Sequence, residues 1–175
     1  WSRDHSAKMK TLYLLRHAKS SWDDPALDDF DRPLSKRGRT AAPLVGRYMA
    51  EHGWQPDRAM VSPAVRARDT WRLVSAELPA PVKTRFEPAI YMAEPEALLS
   101  LLRETEALGS VILVGHNPGL ETLAARLAGP GSDPQARARM TEKFPAAALA
   151  RLDVAELKPG GAALTDFIRP RDLPS

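Results

Sequence analysis

An α/β fold built on a largely parallel sheet is predicted by three features of the 175-residue sequence. Short apolar runs alternate with longer stretches of helical periodicity, the pattern of strands joined by helical crossovers. The run at Ser110–Val114 is almost continuously apolar, as a strand buried on both faces of a sheet must be. No internal repeat or low-complexity linker interrupts the chain, so one domain over residues 9–175 is expected, a length that can bury a sizeable core.

The elements follow in order. Met9 reads as a natural start, and residues 1–8 as an appended remnant. Thr11–Leu15 is a compact apolar strand. Ser35 offers a helix cap, and Ala41, Leu44, Val45, Tyr48 and Met49 follow at helical spacing. Pro43 lies inside that pattern and predicts a kink or an irregular first turn. Arg58–Val61 is a second strand, and Ser62-Pro63 has the cap-then-proline form of a helix start. Ala64, Ala67, Trp71, Val74 and Leu78 mark the buried face of that helix. Val82–Phe86 reads as a third strand, and Leu98, Leu101, Leu102, Thr105 and Leu108 as the stripe of another amphipathic helix. After Ser110–Val114, Asn117-Pro118 is expected to cap a helix that turns Leu120, Leu123, Ala124 and Leu127 inward. Gly129–Asp133 is a loop. Ala146–Val154 and Ala162–Ile168 are strands near the sheet edge, joined through Pro159-Gly160-Gly161.

Composition removes several classes. At 43% hydrophobic and 27% charged the chain is ordinary globular protein. It has no apolar run near the roughly 20 residues that span a bilayer and no signal-peptide stretch, so a cytoplasmic location away from membranes is expected. There are no cysteines, and His5, His17, His52 and His116 lack the close spacing of a zinc site. A net charge of +3, without a basic stripe or nucleic-acid motif, does not argue for a nucleic-acid partner.

Three predicted strands end in residues suited to one site. The first runs into Arg16-His17, the second into Ser62 with Arg66 one helical turn on, and Ser110–Val114 into Gly115-His116. Ligands of open α/β sheets collect at the carboxyl ends of strands, where helix N-termini also point. If these strands are parallel neighbours, two arginines and two histidines converge on a pocket for a phosphoryl group. Guanidinium groups grip its oxygens in bidentate fashion. A neutral imidazole can be the nucleophile, and the charges of Arg16 and Arg66 disfavour a protonated His17. His116 would then donate to a phosphoryl oxygen in the transition state.

These residues resemble the histidine phosphatase superfamily, with its phosphoglycerate-mutase-like fold. The resemblance rests on Leu15-Arg16-His17-Ala18-Lys19-Ser20-Ser21-Trp22, Arg32-Pro33-Leu34-Ser35-Lys36-Arg37-Gly38, Ser62-Pro63-Ala64-Val65-Arg66-Ala67-Arg68-Asp69-Thr70 and Val114-Gly115-His116-Asn117-Pro118, in the family's order. The short length resembles the SixA-type phosphohistidine phosphatase branch. The resemblance implies a three-layer α/β/α sandwich, His17 as nucleophile, and Arg16, Arg66 and His116 around the phosphoryl group, with Ser20 as a further contact. It implies no metal and no organic cofactor. Ala18 stands where many relatives have glycine.

The general acid is less legible. Oxygen leaving groups need a proton from an acid poised near the working pH. The resemblance points to Glu87, just after the third strand, although its surroundings differ from the mutase pattern. The acidic loop Asp23–Asp31 is a second source, with Asp23 nearest the site in sequence. A phosphohistidine substrate lowers the demand, because imidazole titrates near about 6.5. Hydrolysis of phosphohistidine in proteins, or of small phosphorylated metabolites, is therefore the leading expectation. A general phosphomonoesterase is the alternative, with a mutase or an inactive phosphate-binding module behind it. Trp22 is expected to pack under the first loop.

Overall fold

The computed structural model describes residues 9–106 and 108–175, so the remnant expected at residues 1–8 lies outside them. Six strands form one sheet: β1 (Thr11–Arg16), β2 (Arg58–Val61), β3 (Lys83–Phe86), β4 (Ser110–Gly115), β5 (Leu149–Val154) and β6 (Ala162–Ile168). Their order is β3-β2-β4-β1-β5-β6. The first four of that order run parallel, whereas β5 and β6 pair antiparallel at one side. The expected α/β class with a mostly parallel sheet is what forms.

Strand alternation builds the three layers, since successive side chains face opposite ways. Leu12 and Leu14 of β1, with Val111 and Leu113 of β4, join a core beneath α3 (Pro95–Glu104), α4 (Gly119–Leu127) and α5 (Pro134–Glu142). Tyr13, Leu15, Ile112 and Val114 face the other way and pack under α1 (Lys36–Glu51) and α2 (Val65–Ser75). Each such fully buried aliphatic side chain contributes about 1.5–3 kcal/mol.

Local differences from the sequence reading have local causes. The α2 helix starts at Val65 behind Ala64, because the Ser62 hydroxyl is engaged by His116 rather than capping the helix. The Asn117 amide donates to the Phe144 carbonyl, so α4 starts without a side-chain cap. The α1 helix runs through Pro43 unbroken. The α3 helix ends at Glu104, which leaves Leu108 beyond it. The α5 helix was not anticipated. It is capped by Asp133, which accepts from the Ala136 amide at 2.9 Å, yet it buries only Ala136 and Met140.

The chain leaves β1 for α1 on one face and β4 for α4 on the other. These two strands are neighbours, so a crevice opens where their carboxyl ends meet. The loop after β1 is held there by α1: the Ser35 amide and hydroxyl both donate to the Lys19 carbonyl, at 2.9 and 3.1 Å. Ser35 also caps the helix by accepting from the Gly38 amide. Position 38 has no room for a side chain, because a Cβ would lie 2.2 Å from the Lys19 carbonyl oxygen. Gly38→Ala should therefore destabilise the fold despite gaining about 1 kcal/mol of helix propensity. A net loss of about 1–3 kcal/mol is expected for displacing packed backbone, read as a lowered urea midpoint with unchanged m-value.

Candidate active site

Register sets the first part of the site. Arg16 lies opposite Gly115 across the β1–β4 pair, and the His17 amide donates to the Gly115 carbonyl at 3.1 Å. The next residue on each strand end is a histidine, and the two rings sit with centroids 5.2 Å apart. From β2, the Ser62 amide bonds the Val114 carbonyl, which brings Ser62 alongside His116. Arg66 arrives on the first turn of α2. His17 is 8% exposed, Arg66 3% and His116 3%.

The hydrogen bonds assign protons. His17 Nδ1 lies 2.8 Å from the Ala18 carbonyl oxygen, which can only accept, so Nδ1 carries the hydrogen. The lone pair of the neutral ring is therefore on Nε2, which has no protein partner among the described residues. His116 Nε2 meets the Ser62 hydroxyl at 2.7 Å, and its Nδ1 is buried without a partner. If Ser62 donates, His116 carries its proton on the unpaired Nδ1, where an incoming oxygen could receive it. Arg16 donates to the Phe144 carbonyl at 3.0 Å and keeps a buried Nε unpaired.

Asp29, on a short 3-10 turn at 29–31, reaches into this cleft. Arg66 donates to its carbonyl at 2.6 Å and to Oδ2 at 2.9 Å, the Tyr91 hydroxyl donates to Oδ2 at 2.6 Å, and Arg32 donates to Oδ1 at 2.7 Å. The Tyr91 hydroxyl and the two guanidiniums hold this carboxyl well below the usual carboxylate range, against some desolvation. Arg32 also bonds the Ser20 hydroxyl and lies over the Trp22 ring, 3.3 Å from its centroid. Trp22 is thus 71% exposed beside the cleft, not packed under the first loop.

Burial and positive neighbours also act on the histidines. Desolvation, offset partly by the Ala18 carbonyl and reinforced by His116, Arg66 and Arg16, lowers the His17 pKa to about 3. Desolvation and then Arg66 lower that of His116 to about 4.

A cleft of about 660 Å³ is lined by Arg16, His17, Ser20, Arg66 and His116, so the structure brings five of the six expected site residues together. Glu87 is the exception. It does not line the cleft, and its carboxylate accepts from Arg85 at 2.9 Å at the edge of the sheet. Asp23 is exposed and lines a neighbouring depression instead. From the acidic loop it is Asp29 that enters. Sequence reasoning passed over Asp29, Arg32 and Tyr91 as site residues and read Ser62 only as a cap; the Arg32-Pro33-Leu34-Ser35 motif was the one signal that could have drawn attention to Arg32.

An array of two guanidiniums and two neutral imidazoles at a sheet switch point suits a phosphoryl group in an α/β protein. The sequence model of the histidine phosphatase superfamily (branch 1) matches residues 12–87, a range that holds Arg16, His17 and Arg66 but ends before His116. An uncharacterised protein of Mycobacterium tuberculosis is 35% identical over 163 residues, covering 90% of this chain and 100% of the relative. The phosphohistidine phosphatase SixA of Escherichia coli is 27% identical over 126 residues, covering 70% of this chain and 76% of SixA. The crystal structure of a candidate phosphohistidine phosphatase SixA from Agrobacterium tumefaciens superposes with a TM-score of 0.81 at 31% identity, covering 93% of this chain and 99% of that one. The chain belongs to the histidine phosphatase superfamily.

The two histidines make stability depend on pH. In the fold they stay neutral down to about pH 3 for His17 and 4 for His116, whereas in the unfolded chain each protonates near 6.5. Across that window the unfolded state binds more protons, so stability falls as pH falls. The slope approaches at most about 1.4 kcal/mol per pH unit for each histidine. Urea unfolding between pH 7 and 4 should show this decline, and His116→Gln should flatten it. A profile that stays level from pH 6.5 to 5 would contradict the two lowered pKa values.

Proposed function

We propose that the protein hydrolyses phosphohistidine, carried by a phosphorylated protein, through a covalent phosphohistidine on His17. The observation that carries this reading is the tautomer of His17. Its Nδ1 hydrogen is held by the Ala18 carbonyl, and its free Nε2 belongs to a ring that burial and two arginines keep neutral. In the first step Nε2 attacks phosphorus in line, and the phosphorus–nitrogen bond to the substrate imidazole breaks with its electron pair leaving on that nitrogen; the ring, protonated beforehand on its other nitrogen, departs as neutral imidazole. In the second step water attacks the same phosphorus, the bond to Nε2 breaks, and inorganic phosphate departs. Arg16, Arg66 and the Nδ1 hydrogen of His116 stabilise the phosphoryl oxygens, and Ser20 supports the loop through its bond with Arg32.

The leaving group follows from the acids. Among the described residues Asp29 is the one carboxylate that lines the cleft, and it is held ionised. An ionised carboxylate cannot protonate a departing alkoxide. A phosphohistidine ring can already carry a proton on its other nitrogen near neutral pH, since imidazole titrates near about 6.5, and it then departs as neutral imidazole without an acid from the enzyme. That asymmetry favours a phosphoramidate over a phosphate ester.

His17→Ala should abolish turnover and labelling by a radioactive phosphoryl donor, and the label on the unaltered protein should be acid-labile and base-stable. Undiminished hydrolysis by the variant would sink the mechanism.

At matched concentrations a phosphohistidine protein should outrun a panel of phosphate esters, with Glu87→Gln within about twofold of the unaltered protein, a change below 0.5 kcal/mol of barrier. Preference for the esters by orders of magnitude, or a large loss in the Glu87 variant, would move the assignment to a general phosphomonoesterase.

Ser62→Ala should lower kcat by about tenfold, some 1.4 kcal/mol, and leave KM nearly unchanged, since Ser62 acts through the His116 tautomer.

A further inference from the structure

The phosphoryl cleft does not end at the catalytic histidines. Lys19, Arg37, Pro145 and Ala146 line it and also line a second depression, whose other wall is Arg169, Pro170 and Arg171. That depression runs on into a third over α1, where Lys36, Thr40 and Leu44 form the floor beside Arg37, Ala41 and Arg171. Residues 36, 37, 40, 41 and 44 share one face of the helix, being three, four and eight positions apart. The three depressions adjoin through these shared walls, and together they form a groove. From Lys36 to Leu44 it follows the helix for about 12 Å at 1.5 Å per residue.

Its charge is one-sided. Among the residues that line the second and third depressions are Lys19, Lys36, Arg37, Arg169 and Arg171, and no carboxylate. Of the acidic groups of the flanking turns, Glu142 and Asp172 both pair with Arg169, at 3.7 and 2.7 Å, which offsets that one cation and leaves the other four. Lys19, Lys36, Arg37 and Arg171 have no carboxylate within ion-pair distance among the described residues. Between the cations the floor is apolar, with Ala41, Leu44, Pro145 and Pro170. On another side of the cleft mouth, Trp22 and Met92 stand 71% and 52% exposed.

We infer that this groove binds an acidic peptide segment flanking the phosphorylated residue of a protein substrate, and that Lys36, Arg37 and Arg171 set that preference. A second phosphate on a small molecule would need donors converging on one point, whereas these cations are strung along an open channel with apolar gaps. Twelve ångströms matches about four residues of extended chain at 3.3 Å each. Acidic side chains along such a segment would meet the cations while its apolar atoms cover Ala41 and Leu44. The choice of a peptide carrier rests on the proposed phosphohistidine specificity.

The test uses two matched phosphohistidine peptides, one with aspartates and glutamates on both sides of the phosphorylated residue and one with the corresponding amides. Their Kd values are measured by calorimetry on the His17→Ala protein, which leaves both peptides intact whatever the true substrate. The acidic peptide should bind about tenfold more tightly, with the advantage shrinking in high salt as screening predicts. Adding Lys36→Glu and Arg171→Glu should reduce it to within about twofold, and Lys36→Gln with Arg171→Gln should fall between. In the presence of His17 the same double variants should hydrolyse p-nitrophenyl phosphate at nearly the unaltered rate, because neither residue lines the phosphoryl cleft.

Equal affinity for the two peptides, or an advantage that survives charge reversal, overturns the inference. So does inorganic tripolyphosphate binding as tightly as the acidic peptide and losing that affinity in the double variant, which would assign the groove to a polyphosphorylated small molecule. If the acidic peptide binds better but the His17-containing protein hydrolyses neither peptide, the groove stands and the phosphohistidine specificity falls.

Discussion

The parallel pairing of β1 with β4, in a register that sets Arg16 against Gly115, is the constraint on which the site depends. It makes both strands stop at the same level, so that the next residues, His17 and His116, face each other across one crevice. A slip of β1 by one residue against β4 would turn Leu12 and Leu14 out of one core and into the other, because side chains alternate along a strand. The same alternation that builds the two apolar layers therefore fixes the spacing of the two imidazoles. Catalytic geometry and core packing are specified together.

Electrostatics then follows from placing cations beside buried rings. Arg16 and Arg66 would attract a phosphoryl dianion, and in doing so they oppose protonation of the histidines next to them. Desolvation acts in the same direction. A nucleophile needs the lone pair that protonation would remove, so in the proposed mechanism the groups that bind the substrate would also keep His17 active. Asp29 balances this cluster without neutralising the rings. Its carboxylate takes donors from Arg66, Arg32 and Tyr91, which holds the Arg66 guanidinium in place and ties the 29–31 turn to the rim of the cleft.

The parts of this arrangement that are local in sequence could be read from it. Arg16-His17 and Gly115-His116 each follow an apolar strand directly, and Arg66 lies one turn into a helix after another, so strand ends sufficed to place them. Groups whose role depends on a distant partner could not be read that way. Ser62 sits before a proline and has every local mark of a cap, yet its hydroxyl is taken by His116, 54 residues away. Asn117 is diverted likewise to Phe144. Asp29 is one of several carboxylates in a loop whose course sequence does not define, and the one nearest the motif, Asp23, turned outward. The α5 helix was missed because it lies against the sheet through two small contacts and has no apolar stripe to announce it.

The general acid separates two readings of the same fold. A carboxyl that donates to an ester oxygen must hold its proton near the working pH, and burial without partners would give it that property. Asp29 has the opposite surroundings. The Tyr91 hydroxyl and two guanidiniums each stabilise its charged form, and removing Glu87 from the cleft leaves no second carboxyl lining it among the described residues. A site organised this way offers cations to a phosphoryl group and no acid to the leaving atom. That is the basis of the proposal of phosphohistidine, whose phosphorus–nitrogen bond needs little help at the leaving atom. On that proposal substrate choice would rest on contacts away from the phosphorus, and the depressions lined from Lys19 to Leu44 adjoin the cleft where such contacts could form.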